Sequence, residues 1–344
     1  MINTPLDGKL LIAVAVICCC LGGAYDSYEE LYKATPDYSL HRIRQTAGQA
    51  DADRLKDQVD EEKIAAALFH GLLQFRDGQP HASALQKIAW LPLQNEITDS
   101  LKCCLDHALI PSSSDTDAVQ HAQSVLANQL QSLGMPLPTT GWRITSVSWS
   151  RRIDDTHAEI TLYLAHPVLP QAIPCTIAME RTAPKEWHIT NIVHAAAMFQ
   201  ALQQAYLQAL ETENAPIRKK IDAVLEITDV SSSLVRGDDP DHVFLRMQYT
   251  PVFHQPRQDI LEAKGVYELR RRTDHVLLFT APLRLSLSSH ATTRLSQFRL
   301  NPHIPAQEDL ADRETLAETE STLRLTSVTL RDGTTYALQT TLAP

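Results

Sequence analysis

The spacing of apolar residues along this 344-residue chain changes near Trp142. Before Trp142, apolar side chains recur every three or four residues, as in the segment 64–75, and this period predicts amphipathic helices. After Trp142, apolar and polar residues alternate over 158–164 and again over 173–179, which predicts antiparallel strands with one covered face. A chain that begins with helices and continues with strands is expected to be an α+β protein.

Local signals predict where the helices of residues 25–141 begin and end. Thr35 and Pro36 suit the cap and the first position of a helix. The polar run 76–80 predicts a break, and Gly134 is expected to end the last helix of the region. The apolar stripes that we expect to face the core lie at 38–47, 64–75, 88–109 with a bend at Pro92, and 119–133.

Residues 142–199 are predicted to form a meander of antiparallel strands, with turns at 153–155, 166–171 and 182–185. A helix is expected over 202–210, and the polar run 211–216 is expected to mark a domain boundary. If the concave face of this sheet is filled rather than open, its interior is expected to be built from large apolar side chains. Those side chains are Trp142, Trp149, Ile160, Leu162 and Trp187.

The remaining residues are predicted to be mostly strands. Short alternating segments follow one another closely, and the sequence Arg331–Thr334 suits a hairpin turn, so a β-sandwich is expected. The expected strands lie at 224–230, 243–249, 265–269, 276–279, 283–287, 295–300, 323–330 and 336–342, with a helical insert at 306–316. The predicted fold is therefore α+β. Helices pack on a curved antiparallel sheet over residues 25–215, followed by a β-sandwich over 216–344.

The segment Leu10–Ala24 is apolar and uncharged and follows Lys9. Its length suits the core of a signal peptide, and Gly22 and Ala24 are small residues placed for cleavage before Tyr25. The same segment can instead remain as an uncut signal anchor, or form a buried helix of a cytosolic protein. We expect residues 1–24 to be a signal anchor or a signal peptide, with residues 9–24 in contact with the membrane.

The charge distribution argues against nucleic-acid binding. The formal net charge is −10, and acidic residues outnumber basic ones over residues 25–141. A negative surface is repelled by phosphate backbones, so nucleic acid is not an expected partner.

The cysteines do not form a framework of spaced pairs. Outside the apolar leader, the chain has only Cys103, Cys104 and Cys175, so a disulfide scaffold is not expected. One bridge between Cys175 and either Cys103 or Cys104 remains geometrically possible. Cys103 and His107 are four residues apart on a predicted helix and could face one metal ion, but no second pair of ligands accompanies them.

No catalytic, cofactor-binding or metal-binding residue is predicted, and catalysis is the less favoured interpretation. The chain contains none of the GxSxG, GxxxxGK[ST], GxGxxG or HExxH patterns. The paired carboxylates Asp154–Asp155 and Asp238–Asp239 fall where turns are expected, and Arg270–Arg272 falls at a hairpin tip, where it could contact an anion. His188 lies in a predicted strand and could project into a concavity opposite the apolar face.

Two stretches resemble known groups of proteins. The leader, the sequence Thr35–Leu40, the acidic run 50–55 and Val59-Asp60 together resemble a family of uncharacterised bacterial membrane-anchored proteins. That resemblance implies a position on the outer side of the bacterial inner membrane and implies no activity. Residues 142–191 resemble, in pattern only, the nuclear-transport-factor-like and cystatin-like domains. The segments Leu300–Pro302 and Leu323–Gly333 together resemble the closing strands of an immunoglobulin-like accessory domain.

From these features we expect a non-catalytic binding or interaction module of the cell envelope. Its soluble part is expected on the periplasmic side of the inner membrane, or free in the periplasm after cleavage, and its partners are expected to be envelope proteins. The alternative is a small-ligand binder or an enzyme that uses the concave face of the 142–199 sheet.

Overall fold

The chain forms two compact units, of which the first ends at Tyr206 and the second begins at Leu207. The predicted α+β class is confirmed, since helices pack with an antiparallel sheet in the first unit and two antiparallel sheets form a sandwich in the second. The leader, Pro92, Gly134 and Asp238–Asp239 lie outside the described residues. This computed structural model describes residues 32–48, 55, 57–78, 93–109, 116–132, 141–236, 243–287, 292–301, 304–311 and 313–342.

The first unit combines helices with one antiparallel sheet, called sheet A. Its strands lie in the order β1-β3-β4-β5, and β2 also pairs with β3. The predicted turns at 153–155, 166–171 and 182–185 separate β2 to β5. The helices are α1 (Pro36–Gly48), α2 (Glu61–Asp77), α3 (Gln94–Leu109) and α4 (Thr116–Ser132), and the strands are β1 (Arg143–Val147), β2 (Arg151–Arg152), β3 (His157–Ala165), β4 (Ile173–Ala183) and β5 (Glu186–Val193).

Two of the helices begin at capping side chains. Thr35 Oγ1 accepts a hydrogen bond from the backbone N–H of Tyr38 at 3.2 Å, which confirms the predicted start of α1. Asp60 caps α2 in the same way and accepts from the backbone N–H of Lys63 at 3.0 Å. Each cap satisfies one of the N–H groups that the first turn of a helix leaves without a partner.

Trp187 on β5 fixes α1 against the covered face of sheet A. Its side chain is 1% exposed, and its indole Nε1 donates to the carbonyl oxygen of Ala34 at 2.9 Å. Its backbone N–H donates to Ser39 Oγ on α1 at 3.2 Å. Because the ring is buried and both N–H groups are hydrogen-bonded, this one residue joins strand and helix by packing and by polar contacts.

Five large apolar side chains were expected to fill the interior of the 142–199 sheet. This expectation is right for some of them and wrong for Trp149. Ile160 and Trp187 are buried and Leu162 packs against the same core. Trp149 is 74% exposed, because Ser150 beside it is turned toward α1 and hydrogen-bonded to Asp37. Trp142 is half-buried and lies against His166, with ring centroids 5.1 Å apart.

The second unit is built from two antiparallel sheets. Sheet B has the strand order β10-β7-β6, and sheet C has the order β12-β11-β8-β9. The strands are β6 (Leu225–Arg236), β7 (Val243–Phe253), β8 (Ile260–Arg271), β9 (Leu277–Arg284), β10 (Arg294–Arg299), β11 (Thr319–Leu330) and β12 (Thr335–Ala337), with two short helices, α6 (Pro305–Leu310) and α7 (Arg313–Ala317), before β11.

A buried tyrosine links the two sheets of the sandwich. Tyr267 on β8 is fully buried, and its ring stacks on Phe298 of β10 with centroids 5.5 Å apart. Its hydroxyl hydrogen-bonds Ser232 Oγ on β6, which lies 2.6 Å from Ser321 Oγ on β11. The aromatic stack and the hydroxyl chain both cross from sheet C to sheet B.

Helix α5 (Ala195–Asp222) is much longer than the expected helix at 202–210 and runs through the expected boundary at 211–216. Pro216 lies inside it. Proline within a helix costs stability because it removes a backbone donor. The helix nevertheless continues because Ile221, beyond Pro216, is fully buried in the sandwich core.

The two strands expected at 276–279 and 283–287 form one strand, β9. Pro282 lies within it, and proline is tolerated there because β9 is an edge strand of sheet C.

Among the described residues, no helix combines the length and the hydropathy that crossing a bilayer requires.

Replacing Trp187 by phenylalanine is expected to lower the free energy of unfolding of the first unit by about 2 kcal/mol, since the change opens a void and deletes the bond to Ala34. Urea titration followed by far-ultraviolet circular dichroism measures the loss. Trp149→Phe is the matched control and is expected to change the value by less than about 0.5 kcal/mol. Equal effects of the two substitutions would contradict the role assigned to Trp187.

Candidate functional site

A cleft of about 590 Å³ lies within the second unit, between the second half of α5 and the outer face of sheet C. We call it the α5 cleft. The helix contributes one side of the cleft, β8 and β11 contribute the other, and the segment after β12 closes one end. The residues that line the α5 cleft are Leu207, Leu210, Glu211, Asn214, Arg218, Val266, Glu268, Arg324, Thr326, Leu338, Gln339 and Thr340.

Asn214 attaches α5 to the chain after β12. Its side-chain nitrogen donates to the carbonyl oxygen of Gln339 at 3.0 Å, and its side-chain oxygen accepts from the backbone N–H of Gln339 at 2.7 Å. The side-chain amide of Asn214 thus makes to the backbone of Gln339 the two hydrogen bonds that a neighbouring strand would make. Asn214 is buried. Lys220, further along α5, lies over the ring of Tyr336 on β12 at 5.9 Å and adds a cation–π contact.

Aliphatic side chains form one part of the lining. Leu207 and Leu210 come from α5, Val266 from β8 and Leu338 from the segment after β12. Leu207 is 52% exposed, so it leaves apolar area uncovered at the cleft. None of the described residues that line the cleft carries an aromatic ring, so these four side chains offer a flexible, aliphatic surface.

Glu268 on β8 is the buried charge of the site. Its side chain is 11% exposed, and one carboxylate oxygen accepts from Arg270 Nε and Nη2 at 3.1 and 2.9 Å. The other oxygen accepts from Arg324 Nη2 at 2.6 Å. Burial by itself raises the pKa of the Glu268 carboxyl, but the hydrogen bonds from Arg270 and Arg324 outweigh it and hold the pKa below its ordinary value.

A second ion pair lies on the helix side of the cleft. Arg218 donates from both terminal nitrogens to Glu211, with Nη2 2.9 Å from one carboxylate oxygen. This hydrogen bonding, with a further attraction to Arg324, lowers the pKa of the Glu211 carboxyl. Both carboxylates in the lining are therefore ionised at neutral pH and are held by guanidinium groups.

Arg324 is the most open charge in the α5 cleft. Its side chain is 62% exposed, and within the described part of the chain its guanidinium donates only to Glu268. A guanidinium carries five N–H donors, so most of its hydrogen-bonding capacity remains. The site can therefore hold an acceptor beside an aliphatic surface.

A second concavity of about 500 Å³ lies in the first unit, on the face of sheet A opposite Trp187. We call it the acidic groove. The structure places His188 there, directly opposite Glu180 in the register of β5 and β4. The groove is lined by Asp57, Val59, Asp60, Glu61, Glu62, Lys63, Glu180, Thr182, His188 and Thr190.

The acidic groove is partly neutralised by lysines. Lys63 lies 3.0 Å from Asp60, and Lys102 lies 3.2 Å from Glu62. Burial raises the pKa of Asp60, but hydrogen bonds and attraction from Lys63 outweigh it and lower that pKa overall. Asp60 is thus occupied as the cap of α2.

The cysteine and histidine residues considered as metal ligands are not assembled into a site. Cys103 and His107 are half-buried on α3, and among the described residues no group of three potential ligands is suited to a metal. Cys103, Cys104 and Cys175 are free thiols, so the bridge left open by the sequence is absent. Burial raises the pKa of the Cys175 thiol to about 11.

The remaining sequence candidates have local structural roles. Asp154 accepts hydrogen bonds from Thr156 and His157 in the turn before β3, and the backbone bond from Thr156 contributes most to lowering its pKa to about 2. At the β8–β9 hairpin, Arg271 pairs with Asp274 at 2.8 Å and Arg272 Nε donates to the carbonyl oxygen of Thr319. The three arginines 270–272 are each engaged within the chain.

Sequence reasoning missed the α5 cleft. One signal was present, because Glu268 and Arg270 alternate with Tyr267 and Leu269 and so indicate a charged outer face on that strand. Nothing local indicated that α5 would lie over this face.

Comparison of the chain with protein families, with curated proteins and with solved structures finds no match.

Replacing Glu268 by glutamine is expected to lower the free energy of unfolding of the second unit at pH 7 by about 1–3 kcal/mol, because two guanidinium groups lose a buried anionic partner. The lowered pKa also sets the sign of a pH effect. The ionised Glu268 carboxylate stabilises the folded state fully above the ordinary glutamate pKa of about 4.3. This stabilisation is lost as the pH falls through the lower pKa of Glu268 in the folded state. Urea titrations between pH 7 and pH 3 should therefore show a smaller acid-dependent loss in Glu268→Gln than in the wild type.

The matched control for this measurement is Glu320→Gln on β11, an exposed carboxylate. It is expected to change the free energy of unfolding at pH 7 by less than about 0.5 kcal/mol. An unchanged acid-dependent loss in Glu268→Gln would contradict the assignment.

Proposed function

We propose that this chain is a non-catalytic binding module of the cell envelope and that the α5 cleft is its binding site. One observation carries the proposal. A cleft of about 590 Å³ combines an aliphatic wall with a guanidinium, that of Arg324, which keeps donors available. Small-molecule sites are commonly clefts of about 300–1,000 Å³ with mostly apolar linings and a few placed polar groups.

The charges in the α5 cleft support binding rather than catalysis. Glu211 is tied to Arg218 and Glu268 to Arg324. A general acid or base works best when its pKa lies near the operating pH. Both carboxylates have pKa values held below the ordinary range, so neither is suited to exchange protons at neutral pH.

The envelope location rests on the sequence. The apolar segment 10–24, whether retained as an anchor or removed before Tyr25, would deliver the rest of the chain to the periplasmic side. An envelope protein remains the expected macromolecular partner, and nucleic acid is not expected because the chain is acidic overall.

A second candidate is a small-ligand binder or enzyme that uses the face of sheet A opposite Trp187. The observation in its favour is the acidic groove, where His188 and Glu180 lie side by side on neighbouring strands. Its lining carries more carboxylates than cations, so a cationic ligand would suit it.

Full-length protein expressed in bacteria is expected in the membrane fraction with Met1 intact, or in the periplasm with Tyr25 at its N-terminus. Fractionation followed by mass spectrometry of the intact chain distinguishes the two. An intact chain in the cytosol would overturn the envelope part of the proposal.

The binding site is tested by the compounds that co-purify with the full-length chain. Solvent extraction and mass spectrometry are expected to find a small molecule retained by the wild type and absent from Thr326→Trp, in which an indole fills the α5 cleft. Thr335→Trp, an exposed position on the same sheet, is the matched control and should retain it.

Equal retention of the compound by Thr326→Trp would overturn the assignment of the α5 cleft. Retention by Thr326→Trp combined with loss in Glu180→Gln would replace it with the acidic groove.

A further inference from the structure

The polar groups of the α5 cleft are largely committed to one another. Asn214 exchanges both of its amide bonds with Gln339. Glu211 and Arg218 form a bidentate pair, and both oxygens of Glu268 accept from arginines. A ligand with many donors and acceptors, such as an extended peptide, would find few partners and would lose its bonds to water.

The hydrogen-bond donors that stay available to a ligand are those of Arg324 and of two threonines in the lining. Arg324 uses one terminal nitrogen on Glu268, and within the described residues the side chains of Thr326 and Thr340 make no hydrogen bond. Arginine is the side chain best matched to a planar anion, because two parallel N–H groups can meet two oxygens. The ligand should therefore carry one acceptor group, and that group should be anionic.

The neighbouring charges limit the charge of that group. Arg218 and Arg324 are balanced within the lining by Glu211 and Glu268, and Arg270 beside Glu268 lies opposite Glu320 in the register of β8 and β11. The named charges are therefore balanced, and among anions a ligand with a single negative charge disturbs this balance least. A dianionic phosphate would meet two nearby carboxylates, and like charges at close range are unfavourable.

The rest of the ligand should be aliphatic. These side chains are branched hydrocarbon without rings, and Leu207 is 52% exposed; they are Leu207, Leu210, Val266 and Leu338. Covering such a surface with a hydrocarbon chain is favourable in proportion to the area removed from water.

We propose that the α5 cleft binds a single-headed aliphatic carboxylate, with the carboxylate on Arg324 and the hydrocarbon chain along the leucine wall. This inference rests on the proposed function, in that it names the chemical class of the ligand of the same site. It adds that recognition needs one charged contact and an aliphatic surface, and no network of directed hydrogen bonds.

Equilibrium dialysis of radiolabelled decanoate tests the proposal. The full-length chain is carried in lipid nanodiscs, and empty nanodiscs measure the partitioning of decanoate into lipid. Saturable binding above that blank is expected. Unlabelled decanoate should displace it, whereas acetate, which lacks the chain, and decyltrimethylammonium, which reverses the charge, should not.

Variants locate the binding. Arg324→Gln is expected to weaken the affinity for decanoate at least about tenfold, since it removes a charge-assisted contact. In this variant Glu268 still accepts hydrogen bonds from Arg270, so the buried carboxylate keeps a partner. Leu207→Gln should also weaken binding, because it places an amide in the aliphatic wall. Arg284→Gln, at an exposed arginine of β9 on the same sheet, and Leu295→Gln, at a 61% exposed leucine of β10, are the matched controls and should bind as the wild type does.

Circular dichroism of each variant establishes that it folds, and Arg324→Lys, which keeps the charge, should restore part of the affinity lost in Arg324→Gln. The absence of saturable binding, or equal affinity in Arg324→Gln, would overturn the proposal. Stronger competition by decyl phosphate than by decanoate would overturn the choice of a carboxylate.

The failure of this inference is distinguishable from failure of the proposed function. If the wild type retains a co-purified compound that Thr326→Trp lacks, but does not bind decanoate, the cleft is a binding site for another class of ligand. If neither result is obtained, both proposals fall.

Discussion

The paired hydrogen bonds between Asn214 and Gln339 are the contact on which the α5 cleft depends. A helix has no free backbone groups along its side with which to pair a strand, so it normally covers a sheet through apolar side chains alone. Here one side-chain amide supplies the donor and the acceptor that a neighbouring strand would supply. That polar attachment at one end of the sheet allows the leucines of α5 to remain partly uncovered, and a concavity follows.

The charged side chains on the outer face of sheet C are also paired with one another. A carboxylate as buried as Glu268 is costly unless its oxygens are satisfied, and it has two arginines to satisfy them. Arg270 alone occupies one oxygen with two donors. Arg324 satisfies the other oxygen, and within the described part of the chain it does so through a single nitrogen. The same residue therefore completes a structural ion pair and keeps donors with which to bind a ligand.

The sequence predicted those parts of the fold that depend on local pattern. The change of apolar period at Trp142, the cap at Thr35 and the turns of sheet A were all correct. Errors arose where distant packing outweighed a local signal. The helix expected to end at Leu210 continues to Asp222, and Ile221 in its last turn is buried in the sandwich core. The α5 cleft could not be predicted, because its geometry is set by a side chain that bonds a residue 125 positions away, a separation that no local pattern encodes.

The burial of Cys175 has a consequence for the redox chemistry of the chain. Attack on a disulfide or an oxidant requires the thiolate. With a thiol pKa of about 11, the thiolate is about one part in ten thousand at neutral pH. While the first unit stays folded, this sulfur is therefore nearly inert toward oxidised partners. A folded chain in an oxidising compartment would keep Cys175 reduced, and its modification would report unfolding of sheet A.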